Sequence, residues 1–146
     1  MYRAIGYPSL AAMLLAWAWA PAAVAEEKNS ADAAKKPRVF ELRIYTTHEG
    51  KLDDLHKRFR EHTNRLFVKH GMDLVGYWTP ADGDEAKNTL VYLLAYPSRE
   101  ARDKSWQGFR NDPDWKRAFA ASRTNGPIVK KVDSKFLNPT DYSLIR

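Results

Sequence analysis

The chain has 146 residues, enough for one domain around a single core. It carries 24 Lys and Arg against 18 Asp and Glu and no cysteine, which excludes disulfides, iron–sulfur clusters, thiolate metal sites and cysteine nucleophiles. The net charge of +6 is dispersed, as in "KLDDLHKRFREH", with no basic block of the kind that tracks a phosphate backbone, so nucleic acid is not an expected partner.

Residues 1–25, "MYRAIGYPSLAAMLLAWAWAPAAVA", have one early positive charge, a short apolar run and an A-x-A site before Glu26. That order is the pattern of a secretory signal peptide cleaved after Ala25. The apolar run is Ala-rich and shorter than the ~20 residues of a spanning helix. The expectation is therefore export, to a periplasm or the medium, with no stable membrane insertion after cleavage. A retained anchor is the alternative. Residues 26–37, "EEKNSADAAKKP", are polar and aperiodic and predict a flexible tether. The folded domain is expected over 38–146. Without disulfides it depends on its core, on oligomerisation, or on both.

Arg38 to Thr47 alternates as a first strand, broken at Glu49-Gly50. From Lys51 to His70 the period becomes helical through Leu52, Leu55, Phe59 and Leu66, and Gly71 stands where a C-terminal cap belongs. Met72 to Trp78 predicts a second strand, with Leu74 and Trp78 on the face opposite Val75 and Tyr77. "TPADGDEAKN" reads as a hairpin loop. Thr89 to Tyr96, "TLVYLLAY", is apolar nearly throughout, a strand covered on both faces.

Ser98 is an N-cap for a second helix that buries Trp106 and Phe109. Asp112-Pro113 opens a third, short helix, with Asp as cap and Pro at the first helical position. Ile128, Val132 and Phe136 mark a fourth strand, followed by the tail "TDYSLIR". The order β-α-β-β-α-α-β predicts an α+β fold of ferredoxin-like split arrangement, with a four-stranded antiparallel sheet and its second helix broken at Asp112-Pro113.

Helices on one side cannot hide both faces of such a sheet, and exposed sheets of Leu, Val and Tyr are rare on monomers. A second copy packed face to face is the economical cover. The expectation is a homodimer forming an α+β barrel. The mixed face of Glu41, Arg43 and Tyr45 would then lie inside the subunit or inside the barrel, and Phe40, Leu42 and Ile44 would meet the helices or a partner.

Five stretches in order, "FELRIYTTHEGKLDDLHKRF", "HGMDLVGYWTP", "YPSREARDKSW", "NDPDWKRAF" and "FLNPTDYS", resemble the NIPSNAP family of the dimeric α+β barrel superfamily. The resemblance runs from about Val39 to Ser143. It implies that fold but no accepted chemistry. Animal members look like mitochondrial proteins with protein-interaction roles, whereas the leader here resembles an export signal rather than an Arg-rich transit peptide. Related barrels include cofactor-free and haem-using monooxygenases and chlorite-decomposing haem enzymes, which use the space between sheet and helices. The resemblance thus implies a dimeric module binding a small molecule or a partner protein, or alternatively a barrel-type monooxygenase or haem-associated enzyme.

Several residues are candidates for that space. Arg43 and Tyr45, the family's "R-x-Y", would hold a carboxylate or enolate-like oxygen, or form a structural ion pair with an acid such as Glu41 of a neighbour. His48 follows strand one and would titrate near neutrality, or is a solvated loop residue. Arg102 falls on the buried side of helix two. It would join Arg43 in a two-guanidinium anion site, or lay its stem over Trp106 and send its head to water or an acid. Tyr77, Trp78 and Tyr92 would line an aromatic pocket, or pack as core. No i, i+4 His pair occurs, so no metal site is expected. No cofactor is expected; a single His, His70 or His62, would be the ligand were haem bound.

Overall fold

The computed structural model describes residues 38–146; the expected signal peptide and tether fall outside them. Strand β1 (Val39–Thr47) leads to helix α1 (Leu52–Arg58), a π-helical turn (Phe59–Thr63) and helix α2 (Asn64–Lys69), which form one continuous rod. Strands β2 (Asp73–Trp78) and β3 (Thr89–Tyr96) flank a loop holding a short 3-10 turn, Asp84–Lys87. Helices α3 (Arg99–Asn111) and α4 (Pro113–Ala121) precede strand β4 (Val129–Leu137). The sheet order is β2-β3-β1-β4 with every pair antiparallel, the ferredoxin-like arrangement. No helix among the described residues is long and apolar enough to cross a membrane.

Cap chemistry sets the element ends. Gly71 adopts φ +77° and closes a Schellman motif: its N–H donates to the Val68 carbonyl and that of Met72 to the Phe67 carbonyl, each at 3.0 Å. The Ser98 hydroxyl accepts from the Ala101 N–H at 3.1 Å. Asp112 ends α3 in an extended conformation and its carboxylate accepts from the Asp114 N–H at 2.8 Å, with Pro113 opening α4.

β1 and β3 are the central strands, and the two sides of β3 have different fates. Leu90, Tyr92, Leu94 and Tyr96 are all buried under the helices, where Leu55, Phe59, Leu66, Phe67, Trp106 and Phe109 complete the core. Cross-strand pairing puts Glu41 opposite Leu94, Arg43 opposite Tyr92 and Tyr45 opposite Leu90. The mixed face of β1 therefore lies inside the subunit, against the helices. Phe40, Leu42 and Ile44 take the other face, with Val91, Leu93 and Ala95 as their β3 neighbours. At the centre of that open face Leu42, Ile44, Val91 and Leu93 stay partly exposed.

Two irregularities depart from the sequence reading, and each is a single extra residue. In β2 the register shifts between Leu74 and Gly76. This bulge puts Leu74 and Tyr77 together on the helix side, opposite Leu94 and Tyr92, and sends Trp78 to the open side beside Val91. The expected shared face of Leu74 and Trp78 is thus corrected: the strict period of two fails across a bulge. In the first helix, the Asn64 N–H bonds the Phe59 carbonyl and the Thr63 hydroxyl donates to the Arg58 carbonyl at 3.2 Å. The wider π-turn brings Thr63 into the core, and Arg58, the last residue of the α winding before it, is also buried.

Ser98→Ala should cost about 1 kcal/mol, read as a lower urea midpoint with an unchanged slope. An unchanged midpoint would mean the cap is dispensable to α3.

Candidate functional site

Glu41 on β1 is fully buried, and its carboxylate accepts three donors on each oxygen. Oε1 takes Arg43 Nη1 at 2.6 Å, Arg102 Nη2 at 2.7 Å and the Ser134 hydroxyl at 2.8 Å. Oε2 takes Arg102 Nε at 2.9 Å, Trp106 Nε1 at 3.0 Å and the Tyr96 hydroxyl at 3.2 Å. Burial alone would raise its pKa. The hydrogen bonds from Arg102, Ser134 and Arg43 outweigh burial and lower it from 4.5 to about 2. Arg43 also donates from Nε to the Tyr92 hydroxyl at 2.9 Å and from Nη2 to the Tyr45 hydroxyl at 3.4 Å.

Beside this cluster a cavity of about 520 Å³ opens between the sheet and the helices, within the size range of small-molecule sites. Arg43, Tyr45, Val129 and Val132 form its sheet wall; Arg58, Phe59, Thr63 and Phe67 come from the first helical rod. Trp106, Phe109 and Arg110 on α3 and Trp115, Lys116 and Phe119 on α4 close the other side. The Phe109 and Trp115 rings lie 4.3 Å apart, which fixes the corner between α3 and α4.

The sequence candidates separate on this geometry. Arg43 and Tyr45 line the cavity. Arg102 shares an anion with Arg43, and that anion is the chain's own Glu41. Tyr92 is buried beneath the cavity wall as Arg43's acceptor, and Tyr77 stacks on it at 5.6 Å. The buried Tyr77 hydroxyl has no partner, and burial pushes that phenol upward. Trp78 is 54% exposed on the open face, and His48 is an exposed loop residue beyond β1. His70 Nε2 lies 2.8 Å from Asp112 Oδ2. His62 sits in a surface cleft near Glu61. Neither lines the cavity, so among the described residues it offers haem iron no imidazole.

The sequence reading passed over Arg58. It stands three residues after Leu55, beside the apolar line of the helix, and a charge there reads as solvated surface. It ends the regular α winding just before the π-turn, and it is buried because Trp115 and Phe119 pack over its guanidinium, which helical spacing alone does not reveal.

Residues 40–144 match the NIPSNAP family, and the chain belongs to it. A NIPSNAP family protein of unknown function from Agrobacterium tumefaciens superposes with a TM-score of 0.66 at 21% identity, covering 76% of this chain and 96% of that one. A NIPSNAP-like domain protein from Burkholderia xenovorans gives 0.64 at 20% identity, covering 74% and 90%. SnoaB, a cofactor-independent oxygenase from Streptomyces nogalater, gives 0.50 at 14% identity, covering 75% and 99%. At these identities the likeness is one of fold. No curated protein matches the chain.

Glu41→Gln keeps the side-chain shape but leaves Arg43 without a counter-charge and Arg102 with only Asp103, at 3.0 Å near the surface. It should cost about 3–5 kcal/mol in urea unfolding. Because the folded pKa is depressed, Glu41 stabilises the fold fully above about pH 4.5 and loses that contribution as pH falls toward about 2. The wild-type urea midpoint should drop through this window, and that part of the drop should be missing in Glu41→Gln.

Proposed function

We propose that this NIPSNAP-family protein is a small-molecule-binding module that acts after export, as a homodimer. The cavity between sheet and helices carries the reading. Its lining consists of rings, aliphatic groups, hydroxyls and cations, groups that hold and orient a molecule. Among the described residues it contains no carboxylate, imidazole or thiol to exchange a proton near neutral pH. Support for export comes from the leader pattern of residues 1–25.

The dimer reading rests on the open sheet face. Leu42, Ile44, Val91 and Leu93 form a continuous apolar centre, bordered by Asp133 and Lys135 on β4, which pair with Ile44 and Leu42. An apolar centre with charges of both signs at its border is suited to a second copy turned by a two-fold axis. Two such faces, stacked about 10 Å apart, would close the barrel.

Native mass spectrometry of the exported protein should give a dimer mass that retains a small molecule, released on denaturation. A bare polypeptide mass, together with failure of apolar probes to bind, would remove the binding function. Leu93→Lys places a charge at the centre of the open face and should convert the dimer to monomer at micromolar concentration in sedimentation. A wild-type chain that sediments as a monomer would overturn the dimer.

A further inference from the structure

Three arginines are drawn into the interior around the cavity, and their charges are balanced differently. Arg43 and Arg102 both bind the Glu41 carboxylate. Arg58, only 4% exposed, has no carboxylate within ion-pair distance among the described residues. Its Nη1 donates to the Ser122 hydroxyl at 3.2 Å, while its buried Nε has no partner. The guanidinium carbon lies 5.5 Å from the centre of the Trp115 ring and 5.4 Å from that of Phe119. A charge held out of water without a counter-ion is costly, and proteins ordinarily pair it. Burial pulls this guanidinium below its ordinary range, and Arg123 nearby adds repulsion. The same cavity lining holds Arg110 and Lys116, both exposed, and no acid among the described residues.

We propose that the cavity takes an organic carboxylate with a large apolar body, whose head pairs with Arg58. The inference rests on the binding function proposed above and names the class of ligand. Ser122 holds Nη1, which leaves the Nε side of the guanidinium for a carboxylate, the geometry in which arginine bonds such a group through two parallel N–H donors. The body lies among Phe59, Trp106, Trp115 and Phe119, where aromatic faces and apolar area favour a flat or aliphatic skeleton. Arg110 and Lys116 attract the anion toward the mouth. Arg43 shapes the floor but does not compete for the head, because Glu41 already neutralises it.

The test uses the full chain and two fluorescent probes with the same apolar body, 1-pyrenebutyrate and the uncharged 1-pyrenebutanol. The wild type should bind the carboxylate at least ten-fold more tightly than the alcohol. Arg58→Gln should bring the carboxylate down to the affinity of the alcohol without weakening the alcohol, and Arg58→Lys should restore part of the preference. Because the replaced charge has no counter-ion among the described residues, Arg58→Gln should melt no lower than wild type, which also serves as the folding control. Equal affinity of wild type for both probes overturns the carboxylate proposal and leaves the binding module standing. So does a preference that survives Arg58→Gln. Failure of both probes to bind removes the binding module, and the carboxylate proposal with it. A folded Arg58→Gln with a lower melting point and an unchanged carboxylate preference marks Arg58 as structural and overturns its assignment.

Discussion

One buried carboxylate organises the subunit. Glu41 projects from a central strand into the space under the helices, where an unpaired charge would be prohibitive. It is tolerated because six donor groups from five residues converge on it: Arg43 from its own strand, Tyr96 from β3, Arg102 and Trp106 from α3, and Ser134 from β4. Three strands and a helix are thereby tied to one point. Replacing such a cluster by apolar side chains would not necessarily weaken the fold. What the cluster supplies is a fixed distance and angle between α3 and the sheet, since six directional bonds tolerate little sliding.

That fixed angle has a consequence for the neighbouring cavity. α3 is held to the sheet by Arg102 and Trp106, and α4 turns away at the Asp112 cap, where Lys69 and His70 also bond the carboxylate. Those bonds hold the Asp112 carboxyl well below the usual range. The two helices and the first helical rod then enclose a space that the core side chains do not fill. Its walls inherit one arginine from the Glu41 cluster, already neutralised, and one from the helical rod, which is not. The electrostatic character of the cavity comes from the second.

Much of the architecture was legible in the sequence because short-range rules decide it. Gly71, Ser98 and Asp112-Pro113 each mark an element end through backbone chemistry that needs no tertiary partner. The apolar run at 89–96 declared a central strand. The alternation of β1 gave its two faces but not which one met the helices. The choice depends on whether Glu41 finds partners 61 to 93 residues away, on α3 and β4, and no local pattern carries that information. The strand motif is enough to bring Arg43 and Tyr45 to the cavity. Helical position turns Arg102 inward but does not name Glu41 as its acid. A strict period of two misplaces Trp78 because a bulge interrupts β2, and no local pattern shows that Trp115 and Phe119 will cover Arg58.

The bulge in β2 and the π-turn after Arg58 are each one residue longer than the regular element they interrupt. Adding or removing a residue in the α-wound parts of the rod would rotate everything downstream by about 100°, and Leu66 and Phe67 would swing off the sheet although no side chain had been altered. Within Phe59–Thr63 the wider turn already absorbs one residue, so losing one there would return the rod to ordinary winding with Leu66 and Phe67 still facing the sheet. The loop between Trp78 and Thr89, largely exposed, has no such phase to keep. Tolerance to gained or lost residues should therefore differ sharply between these segments, so that descendants of this chain would drift in length between β2 and β3 while the count from Leu52 to Gly71 changes only by the one residue that the π-turn holds.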